Sequence, residues 1–318
     1  MSEKAVLYIG SMARSGSTLV SNLIGQTPGC FNVGELHYFF DRGLRDNWKC
    51  GCGSTFNECE FWRRVTDRVR RKLGEDKLAT AVDVIERVRR RGHSIPILLR
   101  TRIISSEYKL IRQYRELFVH VYDAIFEVSG AAVIVDSSKE PHHLAIMGAG
   151  QRDWCLWLIH LTRDSRAVAY SQKRKKENTN VTSAAPAFMV RRPAVVTGLI
   201  WIRKNILLEI AAGLADNSMR LNYSRFVEQP SVCLQEIQLF AKRPPRPLSF
   251  LLGHEALMQP AHVFSGNPSR FESKERLTIR ADDEWRSRMS LWNRMIVYIL
   301  TAPLNAIYRK RYPLGRNR

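Results

Sequence analysis

Three features of the chain predict an α/β fold of the phosphate-loop (P-loop NTPase-like) kind, in three layers with a central parallel sheet flanked by helices. The first is the stretch from Ala5 to Gln26. An unbroken apolar run, Ala5 to Ile9, stops at Gly10, and after a short Ser/Gly loop apolar residues resume at Leu19, Val20, Leu23 and Ile24 with helical spacing. The second is a set of later apolar runs with buried-strand character, Ala131 to Asp136, Trp154 to Leu161 and Met219 to Tyr223, separated by helical patterns. The third is composition: 318 residues with 45% hydrophobic and 25% charged content can bury a sizeable core. No Pro/Gly/Ser linker or internal repeat divides the chain. A single domain over 1–318 is therefore expected, with a helical insertion over about 61–129 and a C-terminal helical extension over about 282–318.

The loop after the first strand directs backbone N–H groups and the positive end of a helix dipole at one point, and Gly16 lets the backbone approach an anion closely. The guest expected there is a phosphate or a sulfate. A Walker A loop places lysine directly after its second glycine and a hydroxyl for magnesium next to it. Here Gly10 and Gly16 are six apart, Ser17 stands where that lysine would be, and the loop's cation is Arg14, two residues before Gly16. The loop is thus of a different kind.

After the first helix, Cys30 to Gly34 reads as a short second strand ending at Glu35. A carboxylate at the C-terminal end of a strand beside the phosphate strand lies in the crevice where open α/β sheets bind ligands, although Glu is also common at helix N-termini for the sake of the dipole. Glu35 is thereby a candidate general base. Cys50, Cys52 and Cys59 follow in a C-x-C-x6-C spacing that differs from the usual C-x2-C. A zinc site with Cys30 or His37 as fourth ligand, a disulfide and reduced packing all stay open. Helical patterns then run from Phe61 to Ser129, and the basic residues Arg87, Arg89, Arg90 and Arg91 read as a solvated helix end.

Lys139 stands just beyond the Ala131 to Asp136 strand, on the same rim as Arg14 and Glu35. After the Trp154 to Leu161 strand come Arg163 and Asp164, the latter able to cap the next helix, with Ser171 two turns into it. The polar stretch from Lys173 to Arg192 is a candidate lid, and a helix begins at Pro193.

The balance of 50 Lys and Arg against 30 Asp and Glu gives a net +20, with a pI near 10.1, and predicts anionic company: a nucleotide donor, an acidic acceptor, nucleic acid or an anionic membrane face. The N-terminus enters a strand within a few residues and shows no cleavable leader, so a cytoplasmic location is expected. Met295 to Tyr308 is broken by Pro303 and falls short of the ~20 residues that span a bilayer. Flanked by Arg294 and Arg309-Lys310-Arg311, this helix is read either as docked on the core or as lying against an anionic membrane.

Arg14-Ser15-Gly16-Ser17-Thr18 resembles the 5′-phosphosulfate loop of sulfotransferases that use 3′-phosphoadenosine 5′-phosphosulfate (PAPS). That family carries a second signature for the 3′-phosphate, a strand followed by Arg and, eight residues later, Ser. Arg163 and Ser171 match it, about 150 residues after the first. The resemblance spans Val6 to about Trp285 and implies PAPS as co-substrate, no metal requirement, and transfer of a sulfuryl group to a hydroxyl of a carbohydrate, glycolipid or small alcohol. It assigns Arg14, Ser15, Gly16, Ser17 and Thr18 to the phosphosulfate and Arg163 and Ser171 to the 3′-phosphate. Tyr223 is assigned to the adenine, and Asn267 and Arg270 to a loop over the phosphates.

Glu35-Leu36-His37 followed by aromatics is similar to the base of the carbohydrate-type branch, which implies His37 and Asp41 as supports of Glu35, while other members use histidine, which keeps His37 as the alternative base. Lys139-Glu140-Pro141 resembles the Lys-Ser/Asp-Pro turn whose lysine contacts the sulfuryl group, with its middle residue changed. The Glu-Asp pair that follows the family's tyrosine is replaced by Ser224-Arg225. The Cys-Gly-Cys-Gly stretch and Arg276 to Arg280 are similar to bacterial members. Two rivals stand beside this reading: a P-loop kinase, which needs magnesium and a loop lysine, and a non-catalytic polyanion or nucleic-acid binder suggested by the charge.

Overall fold

The computed structural model describes residues 3–90, 105–175, 177, 188, 190–259, 261–266 and 276–309. Of the expectations above, Asn267 and Arg270, Arg91 and most of the 173–192 stretch lie outside them.

The central sheet holds β1 (Ala5–Ser11), β2 (Cys30–Gly34), β3 (Val133–Asp136), β4 (Cys155–Thr162) and β5 (Asn217–Asn222) in the order β2-β3-β1-β4-β5, all parallel. Every residue of β1 is buried, as a central parallel strand covered on both faces requires. Alternate residues serve the two faces. Val6 and Tyr8 join Ile134, Leu156 and Leu158 in one core, whereas Ala5, Leu7 and Ile9 join Val135, Trp157, Ile159 and Leu161 in the other. The α/β expectation holds, with strand ends shifted by a residue or two where tips fray into turns.

Helix α1 (Ser17–Gly25) follows β1. Helices α2 (Glu60–Leu73), α3 (Glu75–Arg90) and α4 (Ser105–Ser129) fall between β2 and β3 and cover the first core. Beyond β3 come α5 (Pro141–Gly148), α6 (Ser165–Lys173) and α7 (Ala194–Ala211), and after β5 come α8 (Tyr223–Glu228) and α9 (Pro230–Phe240). Their starts follow from local chemistry. Pro141 and Pro230 occupy first-turn positions, Asp164 accepts from Arg166 N–H at 2.9 Å, and Asn222 accepts from Ser224 and Arg225 N–H at 2.9 and 3.2 Å. A small antiparallel sheet, β6 (Leu251–Leu252), β7 (Glu255–Leu257) and β8 (Arg276–Thr278), precedes α10 (Trp285–Arg288) and α11 (Leu291–Arg309).

Helix α11 is docked on the core. It docks through Val297, Thr301, Asn305 and Tyr308, all buried, and Asn305 and Thr301 close a hydrogen-bonded knot with Ser165 at 2.7–2.8 Å. Its opposite face leaves Leu291, Trp292, Met295 and Ile299 exposed, at 75%, 69%, 48% and 63%. Among the described residues no helix is long and apolar enough to cross a membrane.

Candidate active site

Parallel strands end together at one edge of a sheet, so side chains at their C-terminal tips converge whatever their distance in sequence. At this edge β1 runs into the loop of Arg14 to Gly16, β2 into Glu35, β3 into Ser137 to Lys139, and β4 into Arg163. Gly16 has φ +90°, a conformation open to glycine, and a Cβ there would strike the ring of Tyr223. No side chain caps the first turn of α1, which leaves its N–H groups at this edge. Arg14 is also in the left-handed region, at φ +72°. Its Nε donates to Ser171 Oγ at 3.1 Å, and Arg163 donates to the Arg14 carbonyl at 3.0 Å. The two separately recognised signatures are therefore in direct contact.

Arg163 is held from three further sides. It donates to the Asp282 carbonyl at 3.2 Å, lies 3.4 Å from the Asp282 carboxylate, and stacks over Tyr223 with 4.6 Å to the ring centre. Its own carbonyl accepts from Trp201 Nε1 at 3.2 Å. Burial, and then the guanidinium groups of Arg163 and Arg174, press the Arg14 guanidinium below its ordinary pKa, with Asp282 acting the other way. Arg14 and Arg163 thus meet near the amino end of α1, with Asp282 offsetting part of their charge. Asp282 is a residue that sequence reasoning missed. Tyr223, assigned to an adenine, packs on Gly16 and Arg163 at the α1 end of this site.

Glu35 and Lys139 form an ion pair, with side chains only 14% and 9% exposed. Lys139 reaches Glu35 from a left-handed backbone, φ +67°. On the other flank, Phe264 N–H donates to the Val33 carbonyl at 3.0 Å and Glu35 N–H to the Phe264 carbonyl at 2.9 Å. Gly34 must be glycine here, because at φ +80° its Cβ would strike the Phe264 carbonyl. Gly266 lies against the Glu35 carboxylate. The turn after Lys139 is pinned by Tyr8, whose hydroxyl donates to the Glu140 carbonyl and accepts from Glu140 N–H, both at 2.9 Å, and Lys204 pairs with the Glu140 carboxylate at 2.6 Å. The unusual middle residue of this turn is thereby explained as the partner of Lys204.

The expected supports of Glu35 do other work. Asp41 pairs with Arg89, which also donates to the His37 carbonyl. Arg89 consequently turns inward, contrary to its reading as part of a solvated run. His37 is buried; its N–H donates to Ser138 Oγ at 3.0 Å, and its ring lies 3.7 Å from that of Tyr38. The partner that Glu35 has is Lys139.

The cysteine cluster also departs from expectation. The fourth donor beside Cys50, Cys52 and Cys59 is His262, and neither Cys30 nor His37 takes that place. The six cysteines are free thiols, so the disulfide alternative is not realised. No local spacing points to a histidine some 200 residues away.

No family profile matches this sequence, and no curated protein does. Solved structures do. The sulfotransferase domain of the Synechococcus PCC 7002 olefin synthase superimposes with a TM-score of 0.52 at 17% identity, covering 98% of each chain. The sulfotransferase domain from the curacin biosynthetic pathway gives 0.52 at 16% identity, over 95% of this chain and 98% of that one. At such identity the likeness shows a shared fold.

Behind the site, burial sets the protonation of a group of side chains. His37, His142 and His143 are pushed below the ordinary histidine value by burial, His142 to about 4, with Arg89 adding to each. Burial also raises Asp136 to about 6, against the hydrogen bonds it accepts from Ser138 and Tyr122. As the pH falls through 6.5, the three imidazoles become protonated in the unfolded chain before they do in the folded one. Folded Asp136 takes up one that the unfolded carboxyl does not. On balance the unfolded state binds more protons over this window, so stability is expected to fall with acidification. Urea unfolding at pH 6.5 and 5.0 checks this. An unchanged midpoint would mean that the imidazoles are already charged or solvated in the fold.

Proposed function

We propose that the protein is a sulfotransferase that moves a sulfuryl group from PAPS to an acceptor hydroxyl, with Glu35 as general base. The observation that carries the reading is the convergence of Arg14, Arg163 and Ser171 at the amino end of α1, one strand tip away from the Glu35–Lys139 pair. The shared fold with sulfotransferase domains is consistent with it.

In this reading the N–H groups from Gly16 to Thr18, with Ser15, Ser17 and Arg14, hold the 5′-phosphosulfate. Arg163, steadied by Tyr223 and Asp282, and Ser171 hold the 3′-phosphate, and Asn267 and Arg270 belong to the loop that closes over the nucleotide. Glu35 takes the proton of the acceptor hydroxyl, whose oxygen attacks sulfur in line. The bond from sulfur to the bridging phosphate oxygen breaks, and 3′,5′-phosphoadenosine leaves with the electron pair. Arg14 and Lys139 stabilise the charge developing on the bridging oxygen and the sulfuryl oxygens, the electrostatic task that cations and metal ions perform in phosphoryl transfer. A sulfuryl group carries less charge than a γ-phosphoryl group, so side-chain cations suffice and the step needs no metal. The acceptor class is a carbohydrate, glycolipid or small alcohol. The exposed apolar face of α11, beside Arg286, Arg288 and Arg294, supports peripheral contact with an anionic membrane.

Arg163→Ala is expected to weaken 3′,5′-phosphoadenosine tenfold to a hundredfold while sparing 5′-AMP, since a charge-assisted bond is worth ~1.5 to 3 kcal/mol. Calorimetric titration with both nucleotides, ATP and RNA decides it; equal losses, or tighter binding of ATP or RNA, would count against the assignment. Glu35→Gln is expected to lower turnover by about 10² to 10⁴ with nucleotide affinity nearly unchanged, and His37→Asn to cost less. Full turnover in Glu35→Gln together with a dead His37→Asn would move the base to His37. For the membrane, Trp292→Glu is expected to abolish salt-sensitive co-sedimentation with anionic phosphatidylglycerol vesicles; no sedimentation of the native chain at low salt would remove that part of the proposal.

A further inference from the structure

The donors around Cys50 are arranged as a metal site. Cys59 Sγ lies 3.2 Å from His262 Nδ1, Cys50 Sγ 3.9 Å from the same nitrogen, and Cys52 Sγ 3.6 Å from Cys59 Sγ, with the four donor atoms all within 4.8 Å of one another. A tetrahedron built on Zn–S near 2.3 Å and Zn–N near 2.05 Å has edges of about 3.7 Å between sulfurs and about 3.5 Å from sulfur to nitrogen. The observed separations scatter around those edges. A disulfide needs its sulfurs about 2.05 Å apart, so 3.6 Å is too long for one.

The scaffold is built for these positions. His262 stacks on Phe61 with ring centres 5.2 Å apart and planes at 14°, and its carbonyl accepts from Trp62 Nε1 at 3.1 Å. Gly51 N–H donates to the Val263 carbonyl at 2.8 Å, and a Cβ at Gly51 would lie 2.6 Å from the Ala261 carbonyl, so only glycine lets the two segments approach. Cys50 also forms a β-bridge with Phe264.

We propose that Cys50, Cys52, Cys59 and His262 bind one zinc ion as a closed structural site that clasps the 48–59 loop to the 261–266 segment. Three thiolates and one imidazole form a soft, fully occupied tetrahedral set with no position left for water or substrate, so the ion supports the fold and takes no part in the transfer step. What it fixes is specific. Two residues after His262, Phe264 hydrogen-bonds on both sides of Gly34, and Gly266 lies against the Glu35 carboxylate. The clasp thereby holds one wall of the site. The metal site itself does not rest on the sulfuryl-transfer reading, because metal content is measured without substrate or nucleotide.

The test is elemental analysis of the full chain, produced in zinc-containing medium and desalted, followed by cobalt exchange. About one zinc per chain is expected, and the cobalt form is expected to show thiolate charge-transfer bands and the strong visible bands of tetrahedral coordination. Cys52 is exposed, so Cys52→Ala is a variant that folds without repacking a core; it is expected to lose metal retention at least about tenfold and to lose the charge-transfer bands. Chelation is expected to lower the melting temperature of the native chain and not of Cys52→Ala. Less than about a tenth of an equivalent of zinc in the native chain, zinc retention unchanged in Cys52→Ala, or a Cys52–Cys59 disulfide in the alkylated protein would each overturn the site.

Discussion

The ion pair between Glu35 and Lys139 is the interaction on which the arrangement of the cleft depends. Both side chains are nearly withdrawn from water, and a buried charge that loses its partner typically costs 3–5 kcal/mol, a large part of a domain's 5–15 kcal/mol of stability. The surrounding structure serves this pair. The register shift at Asn32 and Gly34 turns the end of β2. Phe264 brackets Gly34 with two backbone hydrogen bonds, and Tyr8 and Lys204 anchor the turn that presents Lys139. Such a pair is a poor source of stability compared with apolar packing, which makes its presence easier to understand as chemistry.

The two cations assigned to the transferring group, Arg14 and Lys139, both have left-handed backbone conformations. For a residue with a Cβ that conformation costs on the order of 1–2 kcal/mol. Neither strain is needed to close a turn, since glycine would close either at lower cost. The strained residues instead carry the charge that the site needs, and packing holds them: Arg163 and Ser171 grip Arg14, while Glu35 and the Glu140 turn grip Lys139. Strain retained at two charged positions on one edge of the sheet fits a preorganised anion site.

Much of this was legible in the sequence, because a parallel sheet converts sequence order into spatial convergence. Once Ala5–Ser11, Val133–Asp136 and Cys155–Thr162 are read as neighbouring buried strands, Arg14, Lys139 and Arg163 must meet at one edge. What stayed hidden came from segments lacking such an order. His262 and Asp282 reach the site from the C-terminal third, through loops whose course no periodicity announces. Arg89 was misread because a helix end rich in arginine looks solvated, whereas the π-helical stretch Phe39–Arg45 places Asp41 where a single guanidinium can reach it. The resemblance assigned roles to side chains by position. It did not say that Tyr223 would support Arg163, or that His37 would face a buried cluster in place of Glu35.

Net charge is a weaker guide than its distribution. Many of the arginines behind the +20 are spent on exposed pairs, such as Arg45 with Asp46 and Arg225 with Glu236, which in water contribute at most about 1 kcal/mol each. A nonspecific polyanion binder would keep its cations unpaired and spread over an open face. Here Arg14 and Arg163 lie at a helix terminus, where burial and mutual repulsion oppose their proximity and Asp282 offsets part of that cost. The low dielectric that makes their proximity costly also strengthens their attraction to a nearby anion such as the Asp282 carboxylate, so the burial that opposes two cations side by side favours them once an anion joins them. That coupling separates a binding site from a basic surface, and it follows from where the guanidinium groups are placed and not from how many the chain contains.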